Sequence, residues 1–292
     1  MEFSAYYGSL RCFKFLYLNK ARYSNNINCF AIAGGNAEII HICEIISKNY
    51  ELCLNSSIQF HQNDVYEWLI MNKNVEPDIE CLLSSIRCHN IILFPNIVDF
   101  LLDENKEIDI INNINQIVEC AIYAFEPLMI QYIFDNVNIP KDISFHAEAF
   151  LAIKISSFHS LEILIKNFDY SQILNSPTTL LMASIRYSSL PFAELISAKY
   201  DSSIDYDFQD EKGLTPLHHA ILLNDLDKTR FLLNKYIKFN FDINVKDNLS
   251  MSPFFYSIRE GNEEIVKILL NSKKVKGNDH DQIIINLIYY GV

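Results

Sequence analysis

Three groups of side chains in this sequence have types and spacings worth testing as chemistry. Cys81-x6-Cys88-His89, with Cys120 further on, has thiols and an imidazole that suit zinc. Structural zinc wants two close ligand pairs, however, and both cysteines stand in the apolar stretch CLLSSIRCHNIILF, so the pattern predicts core thiols. His41 and Cys43, two residues apart, fall on different sides of a helix, and nothing marks any cysteine as an activated nucleophile. The adjacent His218 and His219 look like a site by type alone. The carboxylates Asp205, Asp207, Asp210 and Glu211 crowd one segment, but acid/base hydrolysis needs two carboxylates set apart across a cleft, and a run of this kind reads as a solvated loop. Gly34-Gly35 lacks the Gly-Lys-Ser/Thr of a phosphate loop, and Lys273-Lys274-Val275-Lys276 is too short for nucleic acid. These residues predict no catalytic group, no cofactor and no metal, and no small-molecule substrate is evident.

Composition narrows the remaining classes. Of 292 residues, half are hydrophobic, and only seven are Gly and eight Pro, which excludes a disordered or linker-like chain. The net charge of −12 excludes a cationic nucleic-acid footprint. Arg11 and Lys14 interrupt any secretory core near the start. No stretch reaches the roughly 18 apolar residues that a membrane helix needs, and the apolar run Ile283 to Val292 is far shorter, so no membrane insertion is expected. Seven cysteines cannot all pair, and most sit in apolar runs, which predicts a reducing, cytoplasmic setting.

What positions these residues is a repeat. TTLLMASIRYSSLPFAELI, TPLHHAILLNDLDKTRFLL and SPFFYSIREGNEEIVKILL begin at Thr178, Thr215 and Ser252, an equal offset of 37 residues, and align without gaps. Each predicts two short helices. A hydroxyl residue opens the first as its N-cap, followed in two cases by a proline, Pro216 or Pro253, at the first helical position. Asn224 and Gly261, residues that tolerate a left-handed cap, separate the helices, and Tyr187 is a poor match at the same place. Apolar residues such as Leu232, Leu233, Ile265 and Leu269 then recur at helical spacing. A turn and short extended finger follow, as in FNFDINVKDNLSM from Phe239 to Met251. One such hairpin cannot bury its apolar face alone, and stacking on neighbours makes one continuous core.

TPLHHA at Thr215 to Ala220 and GNEEIVKILL at Gly261 to Leu270 resemble the ankyrin repeat, and Asp242 to Asp247 resembles its finger. In the N-terminal half, IAGGNAEIIHIC puts Gly35 where GNEEIVKILL has Gly261, AYYGSLRCFKFL puts Gly8 there, and SIQFHQNDVYEWLI puts His61. Further units centre on NIVDFLLDEN, EPLMIQYIF and HSLEILIKN, which brings the count to nine. The run Ala5 to Ile70 also resembles a domain of unknown function that precedes ankyrin repeats in protist proteins. The resemblance implies an all-α ankyrin-repeat solenoid of stacked helical hairpins with short β-like fingers. The expected divisions are 1–175, divergent ankyrin-like helical repeats; 176–274, well-matched ankyrin repeats; and 275–292, an incomplete C-terminal unit. The absence of a polar cap before Gly8 and the apolar end at Val292 further predict a fragment of a longer solenoid, or ends that pack on something.

The function that the resemblance implies is non-catalytic protein–protein interaction, a scaffold holding an unknown protein partner on its concave face. The alternative is a regulatory or substrate-adaptor segment of a larger enzyme, and a third reading is a metal-thiol module in the N-terminal half. His218 takes the place of the family's structural histidine, which ties a first helix to a neighbouring finger. The expected contact positions are Gln209, Glu211, Leu214, Leu222 and Leu223, then Lys246, Asn248, Met251, Ile258 and Arg259. Four of these, Leu222, Leu223, Met251 and Ile258, are apolar where solvent exposure is expected, which suits an interface. The helix assignments predict that Leu232→Ala lowers stability by roughly 2–5 kcal/mol, and Thr215→Ala by about 0.5–2 kcal/mol through loss of a cap. An unchanged urea midpoint for Leu232→Ala would show that the helix faces are misassigned.

Overall fold

The computed structural model describes residues 1–50, 52–170, 176–272 and 275. Apart from Val275, the expected C-terminal unit 275–292 lies outside the described residues, as do the lysines of Lys273-Lys274-Val275-Lys276 and the apolar run Ile283 to Val292. The chain divides into two compact units, Met1–Ser144 and Phe145–Val292.

The first unit is built of helix pairs. They are α1 (Glu2–Tyr6) with α2 (Leu10–Leu18), α3 (Ile27–Gly34) with α4 (Ala37–Ile46), α5 (Cys53–Gln59) with α6 (Asn63–Lys73), and α7 (Ile79–Arg87) with α8 (Leu93–Asp103). A short α9 (Glu107–Asn112) precedes the pair α10 (Ile114–Tyr123) and α11 (Pro127–Asn136). The second unit holds α12 (His146–Lys154) with α13 (Phe158–Asn167), α14 (Ser176–Tyr187) with α15 (Leu190–Tyr200), α16 (Pro216–Leu222) with α17 (Leu226–Phe239), and α18 (Pro253–Glu260) with α19 (Glu263–Asn271). No strand occurs among the described residues, and none of their helices is long and apolar enough to cross a membrane. The expected all-α solenoid of hairpins is therefore present, with fingers made of turns.

Eight of the nine hairpins among the described residues turn on one left-handed residue between their helices. Gly8, Gly35 and Gly261 have φ of 62°, 65° and 73°, and His61, His89, Phe125, Ser156 and Asn224 adopt 54° to 62° at the matching places. The following N–H then closes back over five residues: Gln62 to the Ser57 carbonyl at 2.8 Å, Asn90 to Ser85 at 2.8 Å, Glu126 to Ala121 at 2.9 Å. This Schellman closure satisfies carbonyls that a helix end otherwise leaves bare. Tyr187 departs from the pattern: α14 runs through it, and α15 begins at Leu190, one residue later than the 37-residue offset from Leu226 and Glu263 places it. Three of the second helices, α4, α17 and α19, start on side-chain caps. Asn36 accepts from the N–H groups of Glu38 and Ile39, and Asn262 does the same for Glu264 and Ile265, which is the physical content of the shared Gly-Asn-x-Glu-Ile string.

First helices pack on first helices within each unit: α1, α3, α5, α7 and α10 in order, and likewise α12, α14, α16 and α18. The apolar layer between them is fully buried, with Ile27, Ile58, Leu82, Leu180, Leu217 and Phe254 at 0–3 % exposure. Close approach is permitted by small residues. Ser57, Ser85, Ser184 and Ser257 are buried at 0 % exposure, each hydroxyl satisfied by the carbonyl three residues back. Gly34 is the tightest case, since a Cβ there would collide with the backbone carbonyls of Ala5 and Tyr6. Gly34→Ala is expected to cost about 1–3 kcal/mol by overpacking against backbone. Gly261→Ala meets nothing within 4 Å and carries only the left-handed strain, about 1–2 kcal/mol. Urea titration of both checks the pair, and a Gly34→Ala protein as stable as wild type would contradict the α1–α3 contact.

Candidate functional site

The second unit's fingers are two copies of one turn. In the first, Asp210 Oδ1 accepts from the N–H groups of Lys212 and Leu214, and the Asp210 N–H donates to the Leu214 carbonyl at 3.0 Å. In the second, 37 residues on, Asp247 Oδ1 accepts from Leu249 and Met251, and the Asp247 N–H donates to the Met251 carbonyl at 3.0 Å. Gly213 and Ser250 supply the left-handed residue, at φ 77° and 60°. The remaining oxygen of each aspartate is tied to the helix that follows. His219 Nε2 lies 2.8 Å from Asp210 Oδ2, and the Tyr256 hydroxyl donates to Asp247 Oδ2 at 2.5 Å. His219 and Tyr256 occupy equivalent positions, so His219 is a finger clamp, a role the sequence does not disclose. Burial pushes both aspartates up, but the hydrogen bonds outweigh it and hold each below the usual carboxylate range.

The two fingers are joined to each other. The Asn248 N–H donates to the Lys212 carbonyl at 3.1 Å and its side-chain amide to Glu211 at 2.9 Å. The Gln209 amide bridges the Gly213 and Lys246 carbonyls at 2.6 and 2.8 Å. Gly213 is required here, because a Cβ would stand 2.6 Å from the Asn248 nitrogen. Beneath the fingers, His218 is fully buried. Its Nδ1 accepts from the Thr215 N–H at 3.1 Å and the Thr215 hydroxyl at 2.9 Å, while Nε2–H donates to the Met251 carbonyl at 3.2 Å. These partners fix the neutral tautomer and tie α16 to the next finger, as the motif implies.

The fingers and first helices border open grooves. The largest of three among the described residues, about 670 Å³, is lined by Arg186, Phe208, Lys212, Leu214 and His219 among others. A second of about 290 Å³ lies between Leu214, Asn248, Leu249 and Tyr256, and a third of about 180 Å³ between Phe150, Met182, Tyr187 and Phe208. Of the ten expected contact residues, Gln209, Glu211, Leu223, Lys246, Asn248 and Arg259 are exposed. Leu222, Met251 and Ile258 are half-buried, and Leu214 is buried at 8 %. Gln209 and Asn248 use their amides to join the fingers. Arg259 lies on the Tyr256 ring, 4.5 Å from its centroid, and pairs with Glu260 at 2.7 Å. Arg186, Phe208 and Lys212 line the largest groove and were missed. Arg186 stands 37 residues before the contact position Leu223, in the unit where Tyr187 matches poorly, and Phe208 and Lys212 carry no mark in the finger's sequence.

The thiols are placed otherwise. Cys81 is buried, which pushes its thiol up to about 12, and the neighbouring His89 is exposed and paired with Glu126 at 2.9 Å. Among the described residues, no group of three or more His, Cys, Asp or Glu side chains could hold a metal ion.

Family models agree with this geometry. Ankyrin repeats match in three copies, over residues 149–247 and 195–281. The chain carries ankyrin repeats. A domain of unknown function, DUF3447, matches residues 19–79, where the α3–α4 and α5–α6 hairpins lie. No curated protein matches the chain. Among solved structures, the ankyrin repeat domain of Bcl-3, described as a unique member of the IkappaB protein family, is similar at 20% identity and a TM-score of 0.49, covering 65% of this chain and 85% of that one.

Burial holds the His218 imidazole down at about 4, against about 6.5 in an unfolded chain. Between these values the unfolded ankyrin chain binds the extra proton. Stability from this group is therefore complete above pH 6.5 and lost as pH falls towards 4, by on the order of 3 kcal/mol. Urea midpoints measured across that range should fall for wild type and fall less steeply for His218→Gln. Equal slopes would mean that His218 is not buried neutral.

Proposed function

We propose that this chain is a non-catalytic interaction scaffold of the cytoplasm that holds a protein partner on the concave face of its ankyrin hairpins. The well-matched segment, residues 176–274, supplies the contacts. The observation that carries the reading is the pair of joined fingers. Their turns are fixed by Asp210 and Asp247, their backbones are hydrogen-bonded to each other, and apolar side chains are left in solvent beside open grooves. Leu223 is 49 % exposed and Leu249 71 % exposed. Rigid display of this kind favours binding, since little ordering entropy is lost on docking. Arg259, planar and seated on Tyr256, suits an anchor.

The test is retention of a partner recovered from lysate on the immobilised chain. Arg259→Ala and Leu223→Ala should each reduce retention while leaving stability within about 0.5 kcal/mol, as for surface changes. A partner retained equally by wild type and both variants would remove this wall as the binding surface.

A further inference from the structure

The largest groove contains charges of unequal availability. Asp210 is engaged at both oxygens, by two backbone N–H groups on Oδ1 and by His219 on Oδ2. Arg186 is held beside it but not bonded: its Nη1 is 3.9 Å from Asp210 Oδ2, beyond hydrogen-bond reach, and the guanidinium stands 5.2 Å from the Tyr187 ring centroid. Its side chain is 40 % exposed, and among the described residues its N–H donors have no hydrogen-bond acceptor. The Lys212 ammonium and the Glu211 carboxylate likewise have no side-chain partner among the described residues, and both line the groove. The adjoining apolar pocket is lined by Phe150, Met182 and Phe208. In a chain of net charge −12, the groove lining therefore holds two cations with open donors, Arg186 and Lys212, against one carboxylate without a side-chain partner, Glu211.

A guanidinium positioned by an ion pair and a ring, yet with its donor fork open, is prepared for a carboxylate. We propose that this groove takes an acidic stretch of a partner polypeptide, with a carboxylate on Arg186 and Lys212 and a neighbouring apolar side chain against Phe208 and Met182. The inference rests on the interaction reading above and gives the partner a chemistry. Glu211 opposes such a ligand, which makes the sign of its removal diagnostic.

The test uses the full chain and three fluorescein-labelled octapeptides, in which phenylalanine alternates with glutamate, glutamine or lysine, followed by fluorescence anisotropy. The glutamate peptide should bind tightest and weaken with added salt. Arg186→Gln should weaken it about tenfold, the worth of one charged hydrogen-bonded contact, and Arg186→Lys should fall between, since it keeps the charge and loses the fork. Glu211→Gln should tighten it. Melting temperatures of the variants should match wild type. Equal affinity for the three peptides, no binding of the glutamate peptide, or an unchanged affinity for Arg186→Gln overturns the proposal. Binding of the glutamine peptide that falls with Leu223→Ala but not with Arg186→Gln overturns it too, and in that case the interaction surface itself still stands.

Discussion

Eight of the nine hairpins among the described residues depend on one backbone angle. In these the residue between the two helices adopts positive φ, which residues other than glycine resist at a cost of about 1–2 kcal/mol. Here the cost is met by His61, His89, Phe125, Ser156 and Asn224 as well as by glycines. What offsets it is local and general. The Schellman bond returns a carbonyl to a partner, and the helix that follows can then bury its face against the previous pair. Because the gain comes from stacking, the turn residue is free to vary, and between α14 and α15 the turn itself does.

The second unit adds a further layer of constraint. A finger is kept in shape by an aspartate whose two oxygens serve different masters: one closes the turn, the other fastens it to a helix. Histidine at 219 and tyrosine at 256 perform the same fastening, one through a ring nitrogen and one through a hydroxyl. His218 supplies the complementary tie, from a helix to the finger beyond. Positioning of Arg186 and Lys212 at the groove is a by-product of this framework, since Asp210 shapes the turn that carries Lys212 and stands beside Arg186.

The sequence made the hairpins legible where their caps are spelled in the usual residues. Thr215, Ser252, Asn262 and Gly261 announce helix ends, and the nine units counted from them and from weaker strings correspond to nine helix pairs among the described residues. His61 was recognised only through its neighbours, because a left-handed histidine has no signature of its own. The groove was harder to read. Its side chains come from α14, the finger and α16, so no single window contains it. Leu214, expected among the contacts, is largely withdrawn into the turn that Asp210 closes. The clamp role of His219 depends on a partner nine residues earlier, across a turn whose shape had to be known first.

The main-chain bond from Asn248 to the Lys212 carbonyl has a consequence for how the second unit comes apart. Asn248 is exposed, yet its amide hydrogen is held by a neighbouring repeat and not by its own helix. Such a hydrogen exchanges with solvent when the two repeats separate, even if each hairpin remains intact. Its protection thus measures the coupling between adjacent repeats, the nearest-neighbour contribution in a linear array, apart from the intrinsic stability of either one.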